Sequence, residues 1–145
     1  MESLAIPIKP RETVADLFRQ VEAKLQLVWL AGARSADREV LFDTAYRPTL
    51  ALVGHVDMLE RGRLQVLGLT EINLLAAYEP NARQHAIEAL FSLDSVAIFV
   101  ANGVSVPDSF LECAERYATP LISAGVSTAV LLRGLNHQLS QSLAP

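Results

Sequence analysis

Residues 63–75 read Arg63-Leu-Gln-Val-Leu-Gly-Leu-Thr-Glu-Ile-Asn-Leu-Leu75, and this stretch decides the fold. Apolar residues dominate as far as Leu67, which is typical of a buried strand, and Gly68 closes the strand with a turn. Thr70 is a residue type that caps helices. The apolar face of the helix it would cap is Ile72, Leu75 and Ala76. The stretch therefore predicts a strand, a glycine turn and a helix in direct succession.

Downstream of this stretch, the alternation of helix and strand continues. Asn81 with Gln84 three residues later resembles a capping box that starts a second helix. The inward face of that helix is Ala86, Ile87, Leu90 and Phe91. The segment 96–100, Val-Ala-Ile-Phe-Val, is apolar throughout, as expected for a strand that is covered on both faces.

A further helix and a further strand are predicted toward the end of the chain. Pro107 suits the first position of a helix, and Thr119-Pro-Leu-Ile122 predicts a short strand with proline at its start. Ser127 or Thr128 caps a last helix, and its apolar stripe is Leu132, Leu135, Leu139 and Leu143. The alternation from Arg63 onward implies an α/β fold, with a mainly parallel sheet, right-handed crossovers and helices on both faces.

Upstream of residue 63 the pattern is less regular. Thr13 precedes a helical repeat with Asp16 in its first turn, and 27–31 is a short apolar run typical of a strand. A second extended piece is predicted at 39–42. Pro48 favours an extended conformation at Arg47, but the apolar residues 49–53 fit a helix and a strand equally well.

Composition limits the classes of function. The chain has 145 residues, of which 51% are hydrophobic and 19% charged, so residues 1–145 are predicted to form a single domain with one core. A net charge of −4 with scattered basic residues argues against nucleic-acid binding. The N-terminus lacks the pattern of a secretory signal, and no apolar run approaches the roughly 20 residues of a membrane span. We therefore expect a cytoplasmic protein that binds no membrane.

Motifs of catalysis and metal binding are missing from the sequence. None of the seven glycines precedes a lysine, so there is no P-loop for phosphate, and there is no Gly-x-Ser-x-Gly elbow of a serine hydrolase. The three histidines, His55, His85 and His137, are too widely spaced for a typical metal site. Cys113 is the single cysteine, which excludes an internal disulfide, and its apolar neighbours favour a half-buried helical position over a reactive thiol. We predict no catalytic, cofactor-binding or metal-binding residues in this chain.

Four blocks of sequence carry a resemblance to a known family. Arg47, Pro48, Leu50, Leu52 and Gly54 match an Arg-Pro-x-Leu-x-Leu-x-Gly element. Arg63, Gln65, Gly68 and Glu71 match a second element, and the segments 96–104 and 119–128 agree in order and spacing. From about Thr13 to Pro145 the chain resembles the N-terminal domain of HPr kinase/phosphorylase.

That resemblance implies a role for the chain and a larger parent protein. The chain would be an N-terminal regulatory domain, itself non-catalytic, with its own P-loop kinase domain beyond Pro145. The parent would use ATP or pyrophosphate, with Mg²⁺, to phosphorylate a serine of the carrier protein HPr, and phosphate to remove that group, in the regulation of carbohydrate metabolism by the phosphotransferase system. A homohexamer is also implied, as is a fold similar to the first domain of Mur ligases. The alternative is a stand-alone domain that senses a small ligand or nucleotide, related to the regulatory domains fused to some phosphotransacetylases and pyrophosphatases.

The best place for a ligand is the edge of the sheet where the parallel strands end, because helix N-termini there offer unpaired N–H groups. The candidate residues at this edge are Arg47, Gly68, Thr70, Glu71, Asn102, Gly103, Ser127 and Thr128. Turn and cap chemistry explains the same residues equally well. Arg47 either contacts a ligand or pairs with an acidic neighbour.

Overall fold

A four-stranded sheet forms the centre of the protein. The computed structural model describes residues 12–48, 62–92 and 94–143. Its strands are β1 (Leu27–Ala31), β2 (Leu64–Leu67), β3 (Ala97–Val100) and β4 (Leu121–Ala124), and they lie in the order β1-β4-β3-β2. Strand β3 pairs in parallel with β2 and with β4, whereas β1 is antiparallel to β4. The predicted mainly parallel sheet is therefore confirmed.

Helices cover both faces of this sheet. Within the described ranges the helices are α1 (Val14–Leu25), α2 (Leu69–Ala77), α3 (Pro80–Phe91), α4 (Asp108–Arg116) and α5 (Thr128–Ser142), with a 3₁₀ turn at Ala33–Ser35. One buried cluster joins α1 and α5 to the sheet, and a second joins α2, α3 and α4 to it. The two-sided arrangement explains why every residue of β2 and β3 is buried, including the polar Gln65 of β2. No helix of these ranges is both long and apolar enough to span a bilayer.

The segment around Tyr46 extends the sheet past β2. Tyr46 forms a parallel bridge with Gln65, in which its N–H donates to the Leu64 carbonyl at 2.8 Å and its carbonyl accepts from the Val66 N–H at 2.8 Å. Arg47 follows directly and is thereby delivered to the end of β2.

The first helix begins as predicted. Thr13 Oγ1 accepts from the Asp16 N–H at 3.2 Å, and the Asp16 carboxylate accepts from the Thr13 N–H at 3.1 Å. The hydrogen bonds with Thr13 lower the pKa of the Asp16 carboxyl below its ordinary value. At the other end, Gln26 ends α1 in a left-handed conformation, and Leu27 enters β1.

Three predicted helix starts are wrong by one or two residues. Gly68 rather than Thr70 precedes the first residue of α2, because the Glu71 carboxylate accepts from the Gly68 N–H at 2.6 Å and closes the first turn there. Helix α3 begins at Pro80, whose ring suits a first helical position, so Asn81 lies inside the helix and forms no capping box. Pro107 precedes α4 rather than opening it.

Other local predictions also needed correction. Glu39 makes a single bridge to Thr13 and belongs to no strand. Strand β4 starts at Leu121, since Thr119 is still bonded to the end of α4 through the Ala114 carbonyl at 2.9 Å. The segment 49–53 lies outside the described residues, as does His55.

The predicted apolar faces are largely buried. All four inward residues of α3 are buried, and so are Leu135 and Leu139 of α5, whereas Leu132 and Leu143 are only partly covered. Ala76 is exposed instead of buried. Leu131 and Gly134 complete the buried face of α5.

Candidate functional site

The ends of β2, β3 and β4 bring most of the predicted edge residues together. This group is Gly68, Asn102, Gly103, Ser127 and Thr128, and together with the adjoining Arg47, Thr70 and Glu71 it is here called the carboxyl edge. Asn102 Nδ2 donates to Thr128 Oγ1 at 3.2 Å, which ties the turn after β3 to the start of α5. A Cβ placed on Gly68 would lie 2.3 Å from Thr128 Oγ1, so the turn after β2 also touches Thr128.

The close contact at Gly68 explains why this position needs a glycine. Its φ of −111° is open to any residue, so the constraint comes from space rather than from backbone conformation. Thr128 is β-branched, and a Gly68 Cβ would also meet its Cβ and Cγ2 at 3.2 Å. The N-termini of α2 and α5 approach each other only because Gly68 has no side chain.

Within the carboxyl edge, Arg47 and Glu71 form a partly buried ion pair. Arg47 Nη2 lies 3.0 and 3.1 Å from the two carboxylate oxygens of Glu71. The Glu71 side chain has no exposed surface, while that of Arg47 is 38% exposed. The Gly68 N–H donates to the same carboxylate. The sequence allowed Arg47 either to contact a ligand or to pair with an acidic neighbour, and the structure shows the second of these.

Most donors that the sequence suggested for a ligand are already engaged. The Asn102 N–H donates to the Val126 carbonyl at 2.7 Å, and the Gly103 N–H donates to the Ala124 carbonyl at 2.8 Å. Ser127 caps α5, with its Oγ accepting from the Val130 N–H at 3.3 Å. Both Asn102 and Gly103 have positive φ, so the turn after β3 is a left-handed pair held by these bonds.

Thr70 is the exception among the edge residues. It is the second residue of α2, and its side chain is exposed. No hydrogen bond of that side chain is present among the described residues. Most polar groups of the carboxyl edge are therefore hydrogen-bonded to one another or to the neighbouring backbone. The exposed hydroxyl of Thr70 can form a hydrogen bond with a ligand but is not suited to acid–base chemistry.

Sequence reasoning assigned no role to Arg63, which organises the segment before Arg47. Its guanidinium lies 4.6 Å from the centroid of the Phe42 ring and 5.2 Å from that of Tyr46. Its Nη2 also donates to the Thr44 hydroxyl at 3.0 Å. Arg63 therefore holds residues 42–46 against the start of β2 and, through Tyr46, positions Arg47.

The sequence also gave no indication of a cavity that lies between α2, α3 and α4. This three-helix cavity measures about 560 Å³. Its floor is apolar, with Leu75 of α2 and Phe110 of α4, and its rim carries Arg83 of α3 and Asp108 of α4. The sequence contains a signal for Asp108 in a helix start but none for its position opposite α3, because that depends on how the helices pack.

Cys113 and the two described histidines, His85 and His137, lie outside these two regions. Burial raises the pKa of the Cys113 thiol, although nearby Arg116 opposes the shift, and the side chain has no exposed surface. Cys113 is thus more deeply buried than its sequence suggested, and its thiol is unreactive in the folded state. His85 and His137 are exposed, and the part of the chain that is described holds no cluster of three metal-ligating side chains.

Comparison with known proteins identifies relatives along almost the whole chain. The family profile described as HPr Serine kinase N terminus matches residues 13–139. The HPr kinase/phosphorylase of Chromobacterium violaceum is 35% identical over 135 residues, and that of Ralstonia nicotianae is 35% identical over 136 residues. These matches cover 93% and 92% of this chain, but the chain spans only 42% of the length of either relative.

A solved structure with a similar fold comes from the regulatory region of a pyrophosphatase. It holds the CBS and DRTGG domains of the regulatory region of Clostridium perfringens pyrophosphatase, complexed with the activator diadenosine tetraphosphate. The TM-score is 0.57 over 90% of this chain and 50% of that chain, with 11% sequence identity. This likeness establishes a shared fold.

Proposed function

The chain belongs to the HPr serine kinase N-terminal family, and from this premise we propose that it is the regulatory and assembly domain of a bifunctional HPr kinase/phosphorylase. The observation that carries the proposal is the match of residues 13–139 to the family, joined to relatives of which the chain spans 42%. The remaining length of such a parent would hold the P-loop kinase domain. That domain would use ATP or pyrophosphate with Mg²⁺ to phosphorylate a serine of HPr, and phosphate to remove the group.

The bonding at the carboxyl edge supports a role in positioning rather than in group transfer. Glu71, Arg47 and Gly68 are bonded to one another, and Asn102 is bonded to Thr128. Such a network favours a single arrangement of the turns that end the strands. We infer that this surface presents a fixed shape to another part of a cytoplasmic hexamer, its own kinase domain included.

The test begins with the gene. The reading frame is sequenced past codon 145, and the full-length product is assayed for phosphate transfer from ATP to HPr and for phosphate-dependent removal. A P-loop motif and both activities are expected. A frame without a P-loop, or a full-length product that never phosphorylates HPr, would exclude the kinase assignment.

The regulatory role needs a second comparison within the full-length protein. Asn102→Ala removes the bond to Thr128, whereas Asn73→Ala changes an exposed asparagine of α2 whose side chain forms no hydrogen bond within the described ranges. We expect the first variant to change the ratio of kinase to phosphorylase activity or the hexamer, and the second to leave both as in the wild type. Identical behaviour of the two variants would remove the carboxyl edge from the mechanism of regulation.

A second candidate function is a sensor of small ligands or nucleotides. It is favoured by the fold shared with the regulatory region of the pyrophosphatase, which was solved with an activator bound. The similarity to the first domain of Mur ligases, which the family resemblance implies, stays a prediction, and it too would favour a ligand-binding role. Because a ligand that binds only the folded state raises its melting temperature, ATP, diadenosine tetraphosphate and sugar phosphates are tested by thermal shift on the isolated chain. A rise of several degrees with one of these supports the sensor, and no rise with any of them rejects a sensor of nucleotides and sugar phosphates.

A further inference from the structure

The three-helix cavity has the size and floor of a small-molecule site. Its volume of about 560 Å³ lies in the range of roughly 300–1,000 Å³ that is common for ligand pockets. Leu75 and Phe110 form a buried apolar floor, and the partly exposed Ile72 and Val106 extend it toward solvent. Because Leu75 and Phe110 are already buried, the apolar surface that a ligand would remove from water is that of Ile72 and Val106, and this is favourable in proportion to the area covered.

Two charged side chains of opposite sign lie at the rim of the cavity. Arg83 lies in the first turn of α3, and Asp108 is the first residue of α4. They form no ion pair with each other or with any other side chain of the described ranges. The guanidinium of Arg83 makes one long contact of 3.5 Å to the Ala76 carbonyl. Both charges therefore remain available to a ligand.

The pair of charges selects among ligand classes. A polyanion such as a triphosphate would find one cation and would be repelled by Asp108. A simple amine would leave Arg83 without a partner, and a simple carboxylate would do the same to Asp108. A molecule that carries an anion and a cation beside an apolar body satisfies both groups and the floor together.

We propose that the three-helix cavity binds a small zwitterion with an apolar side chain, the chemistry of a free apolar amino acid. The carboxylate of the ligand pairs with Arg83, its ammonium pairs with Asp108, and its side chain covers Ile72 and Val106 above the buried Leu75 and Phe110. The proposal goes beyond the assignment to the HPr kinase family and is independent of it, because the isolated chain contains the whole cavity.

The first experiment removes one charge of the ligand at a time. Isothermal titration of the isolated chain is run with L-leucine, with 3-methylbutylamine, which lacks the carboxylate, and with 4-methylpentanoate, which lacks the ammonium. L-leucine should bind and raise the melting temperature by a few degrees at millimolar concentration. Each analogue should bind about tenfold more weakly, since one charged hydrogen bond is lost.

Matched variants then assign each charge to a side chain. In Arg83→Gln the advantage of L-leucine over 3-methylbutylamine should disappear, and in Asp108→Asn its advantage over 4-methylpentanoate should disappear. Arg133→Gln removes the same charge from an exposed position of α5 outside the cavity and should keep wild-type affinities. Circular dichroism verifies that all three variants fold.

Three outcomes would overturn the proposal. The first is no heat and no shift with L-leucine at millimolar concentration. The second is an equal loss in Arg83→Gln and Arg133→Gln, which would reveal a general effect of charge. The third is a triphosphate that binds through Arg83 while L-leucine does not. None of these measurements involves HPr, so a failed kinase assay would leave the result for the cavity unchanged.

Discussion

The carboxyl edge and the three-helix cavity both contain polar side chains, but these are hydrogen-bonded to one another at the edge and form no ion pair among the described residues at the cavity. At the edge, the carboxylate of Glu71 is bonded to Arg47 and to the Gly68 N–H, and Asn102 is bonded to Thr128. At the cavity, Arg83 and Asp108 form no ion pair within the described part of the chain. Polar groups bonded to one another stabilise a fold, whereas polar groups that face a cavity without partners are available for binding. Substitutions at the edge should therefore reduce stability, and substitutions at the cavity should not.

The largest loss of stability is expected from Glu71→Ala. The change leaves the Gly68 N–H without its acceptor and Arg47 without its carboxylate, and we expect a cost of about 2–4 kcal/mol in the free energy of unfolding. Urea unfolding measures the difference. Glu79→Ala, an exposed glutamate at the start of α3, is the control and should change stability by less than about 0.5 kcal/mol. Equal effects of the two substitutions would contradict the structural role of the edge.

Gly68→Ala should have the next largest effect. The new methyl group would lie 2.3 Å from Thr128 Oγ1, and the resulting overpacking should cost about 1–3 kcal/mol. The double variant Gly68→Ala/Thr128→Ala removes both Oγ1 and Cγ2. It should be more stable than the sum of the single effects predicts by at least about 0.5 kcal/mol. Strict additivity in urea unfolding would show that the two residues do not touch.

A smaller loss is expected from Asn102→Ala. The hydrogen bond to Thr128 is lost, and alanine tolerates the φ of 66° at this position less well than asparagine, so about 1–2 kcal/mol is expected. Asn73→Ala, within α2, should be neutral or slightly stabilising because alanine favours helices. Thermal unfolding of both variants provides the comparison, and an Asn102→Ala variant as stable as Asn73→Ala would refute it.

The smallest effect on stability is expected from Arg83→Gln. Since Arg83 makes only one long contact of 3.5 Å, the free energy of unfolding should change by less than about 0.5 kcal/mol, although L-leucine should bind about tenfold more weakly at the cavity. Chemical unfolding in the absence of ligand tests this. A loss as large as that of Glu71→Ala would mean that the cavity side chains hold the fold as the edge does.

Local patterns along the chain were enough to predict most elements. The periodicity after Thr13, the apolar run at 96–100 and the buried face of α3 are all confirmed. Most errors fall at the ends of elements, although the extended piece predicted at 39–42 is not a strand and Ala76 is exposed. At α2 and α3, Gly68 and Pro80 decided the boundary through a side-chain bond and a fixed φ, respectively, and these competed with the caps expected at Thr70 and Asn81.

The sequence predicted where the residues of the candidate site lie, but not how they are hydrogen-bonded. Placing Gly68, Asn102 and Thr128 at one edge required only that parallel strands end on the same side of a sheet. The sequence could not predict which N–H groups stay available for a ligand. The N–H groups of Asn102 and Gly103 donate to the carbonyls of Val126 and Ala124, which the neighbouring strand β4 and the turn after it bring close.

By itself, the sequence of this protein determined its α/β class and its family, because both depend on residue types at short spacing. Only the tertiary structure decided that Arg47 pairs with Glu71, that Gly68 touches Thr128, and that Arg83 and Asp108 line one cavity. These contacts join residues 24, 60 and 25 positions apart in the printed sequence. Their existence depends on the order of strands and on the packing of helices across the sheet, and short-range spacing carries no record of either.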